Sequence, residues 1–197
     1  MRFLRGCFKR QIYDTAKTQV VANEVYKRDS MMAQAMEIHR KLGTPGEPHR
    51  KLARMAGSWD ARVVSWMGPD APPMEWTGSS EQKMLLGCRF LQQEFSGRMM
   101  GGLYSGMGVT GYDNHTGKYV STWMDSMNTG IMVFEGTDGA DGGAIVQTAH
   151  YDDPARGPVQ WRSVTKIVDD DTVLFEMYST LKGGTEEKMM EITYTRK

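Results

Sequence analysis

The side chains of this 197-residue chain best placed to do chemistry are polar groups embedded in otherwise apolar stretches. Gln92-Gln93-Glu94 sits between Phe90-Leu91 and Phe95, and Trp123 and Asp125 share a face of the stretch Tyr119–Asp125. Arg162 lies between Trp161 and Val164, while Glu176 and Tyr178 share another face. A carboxylate withdrawn from water needs a partner to offset its desolvation. Glu94 or Asp125 paired with Arg162 would supply one and form a polar anchor in an apolar cavity. Either carboxylate could then act as acid or base toward a bound substrate. Glu94 and Asp125 are therefore the catalytic candidates, and the ligand-binding set is Gln92, Glu94, Trp123, Asp125, Arg162, Tyr178 and His150. Each also has a bland reading, because a strand has two faces and one of them meets solvent.

Other patterns match motifs only on paper. Gly106-Met-Gly108-Val-Thr-Gly111 has the dinucleotide-binding spacing, but a turn at Tyr112-Asp113-Asn114 follows it where a helix would have to begin. Gly136 to Gly143 is an Asp/Gly-rich loop without the spacing or terminal Glu of an EF-hand, and it reads as a hairpin turn. Among the four histidines no metal-ligand spacing occurs, so no metal is expected. His49 and His115 read as solvated, which leaves His150 as the one histidine to consider as a base or axial haem ligand. No other cofactor is expected.

The elements that must position these groups are mostly strands. Trp59-Asp-Ala61-Arg-Val63, Val173-Leu-Phe175-Glu-Met177 and Met190-Glu-Ile192-Thr-Tyr194 alternate with period two. Turn signals recur about every ten residues with no helix between them, which argues for an antiparallel meander. Strands are expected near 58–67, 75–84, 88–97, 103–113, 117–126, 130–136, 143–150, 158–168, 172–180 and 187–196. Gly57-Ser58-Trp59 opens the series and Arg196 closes it, both on inward positions by parity. A guanidinium stacked on that indole would plug one end of a closed barrel. The expected fold is therefore mainly β: a closed antiparallel up-and-down β-barrel of 8–10 strands over residues 57–197. It follows a Pro/Gly linker and short capping helix (43–56) and an N-terminal extension (1–42). Within that extension, 1–12 reads as a basic amphipathic arm and 14–42 as helix, with Ser30 able to cap a second helix there.

Composition excludes several classes. Lys plus Arg and Asp plus Glu both count 24, so zero net charge gives no reason to expect a nucleic acid partner. No apolar run approaches ~18 residues, so no transmembrane segment is expected and the protein reads as cytoplasmic, with surface or organelle targeting by the basic arm left open. Cys7 and Cys88 are far apart and read as free thiols. The chain carries 17 methionines, which suit either core filling or an adaptable cavity wall.

Taken together, His49–Trp59, Gly87–Glu94, Gly108–Asn114, Lys118–Ser126 and Met190–Arg196 resemble the DUF1579 family over residues 43–197. The Gly-x-Trp and terminal Arg also resemble those of the calycins (lipocalins, fatty-acid-binding proteins, nitrobindins). That likeness implies a cup-shaped barrel for hydrophobic ligands and transfers no catalytic residue. The leading expectation is a binding or carrier protein for a hydrophobic or aromatic small molecule. A cofactor-independent isomerase or cyclase using Glu94 or Asp125, and a haem barrel using His150, are the alternatives. Residues 14–42 could also dock a partner or a second copy.

Overall fold

The computed structural model describes residues 3–68, 71–140, 142–154 and 156–197, with side chains from residue 19 onward except Ala22. The readings of Cys7 and of an amphipathic face on residues 1–12 lie outside the described side chains. The chain forms two compact units, Met1–Thr44 and Pro45–Lys197.

The first unit is one helix, α1 (Phe3–Leu42), without a separate arm or a break at Ser30. Nothing between residues 14 and 42 interrupts it, since that stretch holds neither Pro nor Gly. His39, Arg40 and Lys41 place positive charge where its last carbonyls concentrate negative charge. The helix stops at Gly43, whose N–H reaches the His39 carbonyl at 2.9 Å. Its described apolar side chains do not form one stripe, and Val20, Tyr26, Met31 and Met36 are all exposed.

The second unit begins with a short helix, α2 (Glu47–Ala53), and continues into ten strands. These are β1 (Gly57–Ser65), β2 (Met74–Leu85), β3 (Phe90–Met99), β4 (Gly102–Asp113) and β5 (Lys118–Asp125). The series goes on through β6 (Met132–Asp138), β7 (Ala144–Asp153), β8 (Gly157–Ile167), β9 (Thr172–Leu181) and β10 (Glu186–Arg196). Each strand pairs antiparallel with the next, and β1 pairs with β10, so the sheet closes into the expected barrel with no free edge. Directly paired residues share a face. β1 buries Trp59, Ala61 and Val63, and β10 answers with Arg196, Tyr194 and Ile192 in register.

One end of the barrel is a floor. Trp59 is fully buried and its indole N–H donates to the Met55 carbonyl at 2.9 Å. The Arg196 guanidinium lies 4.1 Å from the centre of that indole. Its Nη1 and Nη2 donate to the carbonyls of Ala56 and Arg54, each at 2.9 Å, and Nε donates to the Asp170 carbonyl at 2.7 Å. A single cation thus satisfies carbonyls just after α2 and ties them to the β8–β9 turn. Gly57 has φ +140°, and a Cβ there would stand 2.4 Å from Arg196 Nη1. The glycine of Gly-x-Trp therefore clears the space that the guanidinium fills.

His49 corrects its solvated reading. It is only 4 % exposed, accepts the Gly46 N–H on Nδ1 at 3.0 Å, and packs edge-on against Tyr112 at 5.9 Å. Burial, with the positive charge of Arg89, pushes its pKa below the usual histidine value against an opposing hydrogen bond with the Tyr112 backbone. His49 is thus a neutral strut holding α2 on the floor. Lys51 adds a contact across the same end, at 2.6 Å from Asp138 Oδ1.

Candidate ligand-binding site

Above the floor the lumen holds a cavity of about 210 Å³. Met55 and Tyr194 bound it near the floor, while Trp76, Tyr104, Trp123 and Asp125 bound it toward the far end, the mouth. Four of the 17 methionines line it: Met55, Met132, Met177 and Met190. Several others (Met67, Met100, Met127) are exposed in turns at the mouth, beside Leu103 and Ile131.

The wall is polar in patches. Gln93 donates through Nε2 to Ser80 Oγ and Tyr194 Oη, both at 3.1 Å. Burial pushes the Tyr194 phenol up to about 12, so it stays neutral at physiological pH. Ser121 bridges Thr110 and Gln147, each at 2.9 Å. Gln82 is buried and lines the cavity. The Trp76 indole N–H, also on the cavity wall, is buried and has no hydrogen-bond partner among the described residues. Buried polar groups left unpaired in a cavity are available to a ligand or to ordered water.

At the mouth, Asp125 gathers three donors. Its Oδ2 accepts from Tyr104 Oη and Trp123 Nε1, both at 3.2 Å, and its Oδ1 accepts the Met127 N–H at 2.8 Å. Burial raises the Tyr104 pKa, which keeps that phenol a neutral donor. Trp123 is in register with Gly108, and Asp125 with Gly106. A Cβ on Gly106 would stand 2.5 Å from Trp123 Cζ2, and one on Gly108 would stand 2.9 Å from Cε3. The indole therefore lies flat over two successive inward glycines and turns its other face to the lumen. This bed for an aromatic ring explains the Gly-x-Gly spacing that mimics a nucleotide loop.

Of the expected site residues, the structure brings Trp123 and Asp125 together in the lumen. The other five are corrected to the outer face, for one physical reason: the inward residues of their strands have the opposite parity. On β3 Leu91, Gln93 and Phe95 face the cavity, so Gln92 and Glu94 point out, bonded to each other at 2.8 Å. On β7 and β8 the inward residues include Gln147, Ala149 and Ser163, which turns His150 and Arg162 outward. Arg162 pairs with Glu186 through two 2.7 Å bonds and stacks on Tyr178 at 4.1 Å. Lys188 joins that outer cluster through Glu176 and Glu191. Arg162 thus meets neither Glu94 nor Asp125, and His150 offers the lumen no axial ligand.

Sequence reasoning missed Gln82, Gln93, Gln147 and Tyr104. The signal for Gln93 was present, since Leu91 and Phe95 flank it at the same parity. For Tyr104 it was absent, because only the β4–β5 register brings it to Asp125.

The barrel resembles known structures in fold. Rv2717c from M. tuberculosis superposes with a TM-score of 0.58 at 17 % identity, covering 78 % of this chain and 99 % of that one. The S-type phycobiliprotein lyase CPES from Guillardia theta gives 0.55 at 14 % identity, covering 77 % and 93 %. At such identities the likeness establishes the fold alone. No curated protein matches the sequence. Residues 44–196, spanning the whole barrel and α2, match the family described as protein of unknown function (DUF1579), and the chain belongs to that family.

Proposed function

We propose that the barrel binds a compact, largely apolar small molecule in its lumen. The observation that carries this reading is the 210 Å³ cavity, walled by aromatic and Met side chains and lined by the buried Trp76 indole N–H, which has no hydrogen-bond partner among the described residues. Ligand sites share this make-up of apolar walls with a few fixed polar groups. A cavity of roughly 150 Å³ accepts benzene, so this one suits a single ring with a short chain. A macrocycle would not fit, and with His150 outside the lumen the haem reading lacks both room and ligand. The exposed Met and Leu side chains around the mouth give an apolar ligand a compatible approach.

The catalytic reading narrows to Asp125, because Glu94 faces outward. Both oxygens of Asp125 already accept hydrogen bonds, an arrangement better suited to anchoring a ligand than to moving a proton. Native mass spectrometry of freshly purified protein, followed by thermal shifts with monocyclic aromatics, tests the binding reading. A retained small mass or a saturable shift is expected. A bare polypeptide mass with no shift for any compound would overturn it.

A further inference from the structure

We propose that the mouth of the cavity selects an organic ammonium ion: a protonated amine carried on a compact apolar body. The proposal rests on the binding reading above and names the chemical class that this lumen would take.

Charge is the first argument. Asp125 is the only residue lining the cavity with a formally charged side chain among the described residues, and no Lys, Arg or His lines it. An anionic ligand would meet an uncompensated carboxylate there, whereas a cation would meet an opposite charge already held in place by three donors. A carboxylate offers about four lone-pair sites, so the three bonds to Asp125 leave it able to accept one more.

The second argument is the Trp123 indole. One face lies over Gly106 and Gly108, and no ring or cationic side chain among the described residues stacks on the other. An aromatic face is negative and attracts cations within about 6 Å. The same chain shows this interaction at the floor, where a guanidinium lies 4.1 Å from the centre of Trp59. At the mouth, indole and carboxylate stand side by side, joined at 3.2 Å, with no cationic side chain among the described residues lining the cavity beside them. An ammonium group could donate to Asp125 while lying over Trp123. Its apolar body would extend past Met132 and Phe175 toward Gln93.

Three probes that share a 2-phenylethyl body separate the possibilities: 2-phenylethylammonium, 2-phenylethanol and 3-phenylpropanoate, titrated calorimetrically into the full chain. The ammonium ion is expected to bind at least tenfold tighter than the alcohol, and the carboxylate weakest. Asp125→Asn should erase the advantage of the ammonium ion over the alcohol, the ratio of the two affinities being the readout. Should that variant fail to fold, salt replaces it as the probe: raising ionic strength should weaken ammonium binding to the wild type and leave the alcohol unchanged. Equal binding of alcohol and ammonium, or tightest binding of the carboxylate, would overturn the proposal while leaving the lumen a binding site. If none of the three binds, the binding reading fails with it.

Discussion

The two ends of this barrel each place a tryptophan on an inward position, and they use it in opposite ways. At the floor, Trp59 is fully buried, its N–H is spent on the Met55 carbonyl, and its face is covered by Arg196. At the mouth, Trp123 is half-buried, its N–H goes to a carboxylate, and one of its faces is turned to the lumen. Glycines serve both ends. Gly57 makes room for the Arg196 guanidinium, while Gly106 and Gly108 make room for the ring itself. The floor is a finished interaction in which the Trp59 N–H and all three Arg196 guanidinium nitrogens donate to backbone carbonyls. The mouth holds half of a similar interaction and supplies a negative charge in place of the positive one.

Substitutions should separate these roles. The largest effect is expected from Trp59→Ala, which removes a fully buried indole and should cost about 3–5 kcal/mol in urea unfolding. Little change would mean that α2 and Arg196 do not depend on the stack. Arg196→Ala should cost roughly 2 kcal/mol, because three backbone carbonyls lose a charged donor at a partly exposed site. Gly57→Ala should fall in a similar range, about 1–3 kcal/mol, since it strains the backbone and displaces the guanidinium. Trp123→Ala should cost less than Trp59→Ala, roughly 1–2 kcal/mol, because the ring is only partly withdrawn from water. Its larger consequence should be lost affinity for any aromatic probe that binds the wild type. Equal destabilisation by the two tryptophan variants would mean that the mouth is structural like the floor.

The difference between the ends also explains what could be read from the sequence. The floor was legible because Trp59 and Arg196 are signposts at the two chain-order limits of the sheet, and parity alone turns both inward. The mouth was legible only where parity was applied. Trp123 and Asp125 share parity with the buried Tyr119, whereas Glu94, Arg162 and His150 stand out by chemical type alone and have the opposite parity to Leu91, Trp161 and Ala149. Period two gives the alternation, and apolar neighbours at i±2 give its phase. Register is a separate quantity. Nothing local sets Gly108 opposite Trp123, or Tyr104 within reach of Asp125, because both depend on how far β5 slides along β4. The burial of His49 was hidden for a related reason, since it requires α2 to fold against Tyr112 of β4, a strand distant in sequence.

That buried histidine gives the floor a pH dependence through a group that the mouth lacks. With its pKa held below the unfolded value, His49 binds a proton more readily in the unfolded chain. Its contribution to stability is therefore complete above the unfolded value of about 6.5 and is lost as pH falls through the lower, folded one. A second loss should come at lower pH. Lys188 holds Glu176, and Arg162 holds Glu186, below the usual carboxylate value, so their contribution fades only under about pH 4.5. The urea midpoint of the wild type should thus decline in two steps from pH 8 to pH 3. His49→Asn keeps an acceptor for the Gly46 N–H but cannot take up a proton, so it should start from a lower midpoint and lose only the second step. The first step in the wild type should be the smallest of these effects. A wild-type midpoint that stays flat from pH 8 to pH 5 would show that α2 accommodates a charged imidazole, and that the floor is less closed than Trp59 and Arg196 make it.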